Sequence, residues 1–322
     1  MHQTVKEAFA KFRTWLKLDP VELAKAIATH NFVTERLRAK GVITAAFLQG
    51  SLRRKTMIPP LRDVDKVVIL AVDFRQLTNG AQEAAERVSA ALSEIYPNLT
   101  PIIGKHCVTL DFGETTFSFD IVPAIDLGDD IEIVDTKSGG WKRSNTRLWI
   151  RLVEARNQIC DGGFIHQVRM AKFFVRFTLD GILPGPHTES FAYAVIGRPL
   201  DDDEALAAVL RFGASSLAPG EEYWDPTGVE ELGHKLELDV RDRAHKGFSS
   251  AATRAEEAVR LRRAGQHNAA IAIWHDIFGE GFPKPDETEA LRGLSRGLGI
   301  SPLGIVAPRP TNAPPLVRPW RP

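Results

Sequence analysis

Few folds tolerate the stretch Phe47–Leu70, FLQGSLRRKTMIPPLRDVDKVVIL. An apolar run (Val42, Ile43, Ala45, Ala46, Phe47, Leu48) reads as a buried strand. Gly50-Ser51 turns it, a basic loop follows, and Asp63-Val64-Asp65 opens a second apolar run that ends at Leu70. Side chains alternate faces along a strand, so Asp63 and Asp65 share one face, about 7 Å apart, and Val64 takes the other. Two carboxylates at the lip of a hydrophobic strand repel each other and resist desolvation unless a cation sits between them. Hard oxygen ligands favour Mg2+ or Mn2+. The plain alternative, acidic residues opening a strand in solvent, is weakened by a third carboxylate. Asp120 lies in a further strand-like run over 116–125, on one face with Ser118 and Val122.

Three carboxylates on neighbouring strands suit two divalent ions and an in-line displacement at phosphorus. Gly50 and Ser51 would let backbone amides approach a triphosphate at the start of a short helix. The expected site is therefore Asp63, Asp65 and Asp120 as catalytic residues and metal ligands, with two Mg2+ (or Mn2+) ions. Gly50 and Ser51 would lie on the phosphates of a nucleoside triphosphate. Arg53, Arg54, Lys55 and Arg62 in the basic loop suit phosphate contact and an ordinary solvated loop equally; Arg54 is carried forward as a phosphate contact. Lys66 faces away from Asp65 in a regular strand and receives no role.

Gly-Ser, then Asp-Val-Asp, then a distal Asp before Val-Pro resembles the polymerase-β-type nucleotidyltransferases. More narrowly, the chain is similar to the bacterial cGAS/DncV-like nucleotidyltransferases, relatives of the oligoadenylate synthetases. That likeness rests on QGSLRRKT from Gln49, VTLDFGETTFSFDIVPA around Asp120, VRMAKFF from Val168, DPTG from Asp225 and AIAIWHDIFGEGFP from Ala270. The resemblance implies a metal-dependent enzyme that joins nucleoside triphosphates into a cyclic oligonucleotide second messenger in anti-phage signalling, with a regulatory protein as partner. It places Gln49 and Thr56 by the nucleotide. Lys172, the lysine of the VRxxK helix, would reach the triphosphate from a second lobe. Ser190 matches the serine that opens the next helix, but the acidic residue usual four positions later is Ala194 here, which weakens that carry-over. A relative that modifies tRNA, protein or a small molecule is the first rival. A non-catalytic nucleotide-binding regulator is the second, disfavoured because a binding module has no reason to bear three repelling carboxylates.

The fold class expected is α+β: a polymerase-β-like core of mixed sheet with helices, plus a C-terminal helical lobe across a central cleft. The core spans 1–144 and includes a long N-terminal brace helix. The helical lobe spans 145–282, entered at Trp141–Asn145, with helices near 145–160, 163–180, 187–197, 201–213, 247–264 and 267–278. The proline-rich stretch 283–322 reads as a partly disordered tail. In the 163–180 helix, Arg169 and Arg176 read as a solvated basic stripe beside an apolar one. The formal net charge is zero, so no global field favours a long nucleic-acid track or an anionic membrane. Neither the two cysteines nor the nine histidines form a metal-ligand or disulfide pattern. The polar N-terminus lacks a secretory core and no apolar run is long enough to span a bilayer, so a cytoplasmic protein is expected.

Overall fold

The computed structural model describes residues 3–113 and 117–286. Its first helix, α1 (Val5–Trp15), begins with a reciprocal cap. Thr4 Oγ1 accepts from the Glu7 amide at 3.2 Å, and the Thr4 amide donates to the Glu7 carboxylate at 2.7 Å. The second, α2 (Pro20–Ala39), begins with the Asp19 carboxylate accepting from the Val21 and Glu22 amides and proline at the start of the first turn.

A mixed sheet follows. Strand β1 (Ile43–Leu48) runs into the short helix α3 (Gly50–Arg53), then β2 (Asp63–Leu70), helix α4 (Gly80–Ile95), and strands β3 (Ile102–Ile103), β4 (Val108–Asp111), β5 (Ser118–Asp126), β6 (Ile131–Asp135) and β7 (Gly140–Ser144). The sheet order is β1-β2-β5-β4-β3, with β6 paired to the far end of β5 and β7 to β6. Only β2 and β5 pair in parallel; the other pairs are antiparallel. Alternation divides the sheet. Val64, Val68, Phe119 and Ile121 pack under α2 and α4, against Ala26, Val33, Ala84, Val88 and Leu92. On the other face Val67, Ile69, Val122 and Ala124 make a small apolar patch. Asp63, Asp65 and Asp120 have the parity of that second face, on which the short helix α3 sits rather than α2 or α4.

Lys66 goes the other way. It is fully buried against α2, where Nζ donates to the His30 carbonyl (2.8 Å) and to Thr34 Oγ1 (2.7 Å). Burial pushes its amine down to about 7.

The helical lobe comprises α5 (Thr146–Ile159), α6 (Gly163–Phe173) continued by a π-turn over Phe174–Thr178, α7 (Gly185–Val195), α8 (Asp202–Ser216), α9 (Leu238–Arg263) and α10 (His267–Phe278). Three expectations need correcting. Residues 140–144 are a strand rather than the crossing into helices. The helix expected from 247 starts at Leu238, because its first turns are polar and carry the solvent-exposed pairs Asp239–Arg243 and Asp242–Lys246 rather than an apolar stripe. Most consequentially, α1 does not belong with the sheet. Phe9 lies 5.2 Å from the Trp274 ring and 4.9 Å from Phe282, and Phe12 lies 5.2 Å from Phe173. The aromatic face of α1 thus fills the helical lobe's core, while the slimmer Ala/Val/Leu stripe of α2 fits closely on the sheet. No described helix is long and apolar enough to cross a membrane. Of the expected tail, residues 287–322 lie outside the described residues.

Candidate active site between the lobes

A cavity of about 680 Å³ opens between the lobes, in the size range of small-molecule sites. Its core-lobe wall includes Gln49, Gly50, Ser51, Arg54, Arg62, Asp63, Asp65 and Asp120; Lys172, Arg176, Thr188 and Glu189 belong to its helical wall. The strand register explains the convergence of the carboxylates. In the parallel pair, Asp65 stands opposite Asp120 and Asp63 opposite Ser118. Ser118 Oγ donates to Asp63 at 3.2 Å, and Thr109 Oγ1, from β4, donates to Asp120 at 2.6 Å. The Asp65 carboxylate has no hydrogen-bond or ion-pair partner among the described residues.

Gly50 sits directly over Asp65. Its φ is +64°, and a β-carbon there would fall 1.7 Å from Asp65 Oδ2. Both backbone conformation and space therefore demand glycine. The Gln49 amide, donating to the Asp65 carbonyl at 2.9 Å, fixes α3 to the strand.

Burial, then the neighbouring Asp120, raises Asp65 to about 6; Arg54 pulls back, Asp63 adds a smaller push, and Lys172 opposes it weakly. Asp120 is also raised, first by burial, while the Thr109 hydrogen bond pulls back. Such crowding of like charge stores a demand for cations. Among the described residues no three His, Cys, Asp or Glu side chains form a ready-made metal cage. The donor set nevertheless fits hard divalent ions: hard oxygen donors only, on one face, around an unpartnered carboxylate.

Across the cavity the charges are compensated. Glu189, from α7, is buried and accepts from Arg54 Nε (2.7 Å), Thr56 Oγ1 (2.7 Å) and Lys172 Nζ (2.5 Å). Burial alone would raise the Glu189 pKa, but Arg54 and Lys172 outweigh it and hold it at about 2. Burial lowers Lys172, against the pull of Glu189. The Arg54 guanidinium also lies over the Trp149 ring, 4.7 Å from its centroid.

Sequence reasoning missed Glu189 altogether. Its partners on the core lobe are more than a hundred residues away, so no local spacing could reveal it. Ser190, expected beside the nucleotide, instead turns its hydroxyl onto the Pro186 carbonyl of its own helix (2.9 Å), and Thr188 and Glu189 form the wall. Thr56 is fully buried under the same carboxylate rather than lining the cavity. Thr109 was also missed: the register pairs 108 with 121, 109 with 120 and 111 with 118, centred one residue beyond the Gly113-Glu114 turn expected from the sequence, which would instead have set Cys107 opposite Asp120. Asp225, Val229 and Glu230 reach the wall too. Asp225 accepts from the Thr227 and Val229 amides, which fixes the turn, and Glu230 pairs with Lys142 of β7 across the lobes at 2.6 Å.

A carboxylate-bearing mixed sheet facing a helical lobe across a cleft is the architecture of the polymerase-β-like nucleotidyltransferases. Solved structures share it over most of the chain. The CdnC of Escherichia coli MS115-1, solved in complex with HORMA-deltaN, superposes with a TM-score of 0.69 at 18% identity, covering 88% of this chain and 99% of that one. The CdnG of Bradyrhizobium diazoefficiens, solved with GTP, gives 0.66 at 15% identity, covering 81% and 94%. Residues 3–157 match the Second Messenger Oligonucleotide or Dinucleotide Synthetase domain. A curated relative from Bacillus cereus (strain VD146), described as a probable cyclic nucleotide synthase, is 22% identical over 283 residues, 74% of this chain and 82% of that protein. Residues 3–157 thus carry that synthetase domain, and the chain as a whole is similar to the bacterial cGAS/DncV-like nucleotidyltransferases.

Proposed function

We propose that this protein is a metal-dependent synthase that joins ribonucleoside triphosphates into a cyclic oligonucleotide signal. The observation that carries the reading is the unpartnered Asp65 between Asp63 and Asp120, on the open face of the sheet and at the wall of a nucleotide-sized cavity. Asp63, Asp65 and Asp120 would hold Mg2+ or Mn2+, and Asp63 and Asp65 would serve the donor triphosphate. The ions, when bound, supply neutralisation of the triphosphate and a lowered pKa for the attacking hydroxyl.

The chain's own residues do the rest. Gly50 brings the backbone of α3 close to Asp65. Thr109 orients Asp120, and the raised pKa of Asp120 suits it to take the proton of the acceptor hydroxyl. The hydroxyl oxygen bonds to the α-phosphorus, the bond to the β-phosphate oxygen breaks, and pyrophosphate leaves. A final displacement within the linear product closes the ring.

A role in anti-phage signalling, a cytoplasmic setting and control by a regulatory protein belong to the same proposal. They are supported by the match to the synthetase domain and by the HORMA-deltaN complex of the Escherichia coli structure. The test is product analysis. The protein is incubated with all four ribonucleoside triphosphates and manganese, treated with phosphatase, and run on mass spectrometry beside the doubly substituted Asp63→Asn/Asp65→Asn protein. A phosphatase-resistant product lost in the variant supports the synthase. Product that forms only when tRNA, a protein or a small-molecule acceptor is added would replace the synthase with the acceptor-modifying alternative.

A further inference from the structure

Most basic groups around the cleft are already committed. Arg53 pairs with Glu154, Arg54 and Lys172 share Glu189, Lys142 pairs with Glu230, and Arg169 Nε donates to the Lys55 carbonyl at 2.8 Å. Two guanidiniums in the cavity wall are not. Arg62 comes from the core lobe, immediately before Asp63, and Arg176 from the π-turn that ends α6. Among the described residues neither has a hydrogen-bond acceptor or a carboxylate within ion-pair distance; Arg176 makes only a ring contact with its neighbour Phe177.

The two are close enough to feel each other. Burial, then the charge on Arg62, pushes the Arg176 guanidinium down from its ordinary value, and Asp63 pulls the other way. Two cations held near each other without an anion make an unfavourable pair, just as the aspartates do with the opposite sign. Asp63 is the one anion drawing on Arg176 there, and on the proposed reading its charge is engaged by a metal ion. What the pair lacks is an anion with several oxygens, able to accept from two planar forks on opposite walls. A phosphate chain meets that description, whereas a carboxylate or a base edge offers too few acceptors.

We propose that Arg62 and Arg176 form a clamp, one arm on each lobe, on the terminal phosphates of the bound nucleoside triphosphate, the part that departs as pyrophosphate. The clamp rests on the nucleotidyltransferase reading and refines it: Arg54 and Lys172, the cations that sequence reasoning placed on the phosphates, are held by Glu189, while Arg62 and Arg176 are open. Drawing both arms onto one anion would pull the lobes together, and departure of pyrophosphate would release them.

The test is calorimetric titration of non-hydrolysable analogues of the four ribonucleoside triphosphates and of the matching monophosphates, with magnesium present. It compares the unaltered protein with Arg62→Gln, Arg176→Gln and Arg176→Lys. Each Gln variant should weaken binding of the preferred triphosphate about tenfold or more, as expected for losing a charge-assisted bidentate contact, with monophosphate affinity unchanged. Arg176→Lys, which keeps the charge and loses the fork, should fall between. Because neither guanidinium supports another side chain through a hydrogen bond, the variants should unfold at the temperature of the unaltered protein.

Equal losses for mono- and triphosphate, or no loss, would overturn the clamp, as would failure of the unaltered protein to prefer triphosphate. The two levels separate cleanly. Cyclic product with unchanged triphosphate affinity in the variants keeps the synthase and removes the clamp. Weakened triphosphate binding without cyclic product keeps the clamp and removes the synthase.

Discussion

Two charge clusters face each other across the cleft, one part-exposed on the sheet and one buried on the helical side, and are built on opposite plans. On the sheet, Asp63, Asp65 and Asp120 crowd like charges, and two of the three have raised pKa values. On the helical side, Glu189 is matched by two cations and a hydroxyl, and its pKa is held low. The first cluster is unfinished until something binds; the second is complete in the protein alone. Burial by itself therefore does not mark a site. Burial with uncompensated charge does, and burial with full compensation marks a joint.

The contrast is sharpest in activity. Asp63→Asn/Asp65→Asn should reduce product formation at least roughly a thousandfold, the scale of removing a preorganised charge at a reacting centre, as read by mass spectrometry. The same change should leave the protein folded. Asp65→Asn alone should raise the thermal midpoint of the metal-free protein at pH 7; a lower midpoint would mean that the cluster is not strained.

Glu189→Ala should do the reverse. It leaves Arg54 and Lys172 buried without a counter-charge and should destabilise by roughly 3–5 kcal/mol in denaturant unfolding. Glu189→Gln, which keeps an acceptor, should lose less.

The clusters also titrate in opposite senses. Asp65 is raised from 3.8 to about 6, so the stability it favours is full below its unfolded value and is lost as pH climbs through 6. Glu189 is lowered from 4.5 to about 2, so its contribution is present above 4.5 and disappears as pH falls toward 2. Thermal midpoints of the metal-free protein and of the Asp65→Asn and Glu189→Gln variants across pH 2–7 should show each slope vanish separately. A shared slope would mean that the two clusters titrate as one.

Smaller effects follow. Thr109→Val removes one hydrogen bond from Asp120 and should slow turnover about fivefold, the kinetic equivalent of about 1 kcal/mol, with little change in folding. Arg53→Ala breaks the exposed pair with Glu154 and should change stability by less than about 1 kcal/mol, with activity intact.

The sequence made the sheet side legible and hid the helical side, for a physical reason. Strand alternation and the Gly-Ser turn are local, so the shared face of Asp63 and Asp65 could be read from their spacing. Glu189 meets Arg54 only after the lobes dock, and helix periodicity counts it as one more polar residue. The five residues of β7 escaped notice because none is fully buried, leaving no alternation to see. Arg176 read as solvated although it stands four residues beyond Lys172, on the same helix face, and lines the cavity with it. The placement of α1 with the core lobe went wrong for the same reason that Glu189 was missed: an amphipathic helix announces that it will be buried, not where.

The place of α1 in the helical lobe has a consequence for how the chain is made. The core lobe draws its apolar contacts from between Leu18 and Trp141, so it can close while the ribosome is still producing the helical lobe. Phe9 and Phe12 emerge before any of it, yet Trp274, Phe278 and Phe282, which cover them, are among the last described residues to appear. Phe12 can meet Phe173 midway, but Phe9 must wait exposed until α10 has followed it. Until then that ring is exposed apolar surface of the kind that makes incomplete chains prone to association.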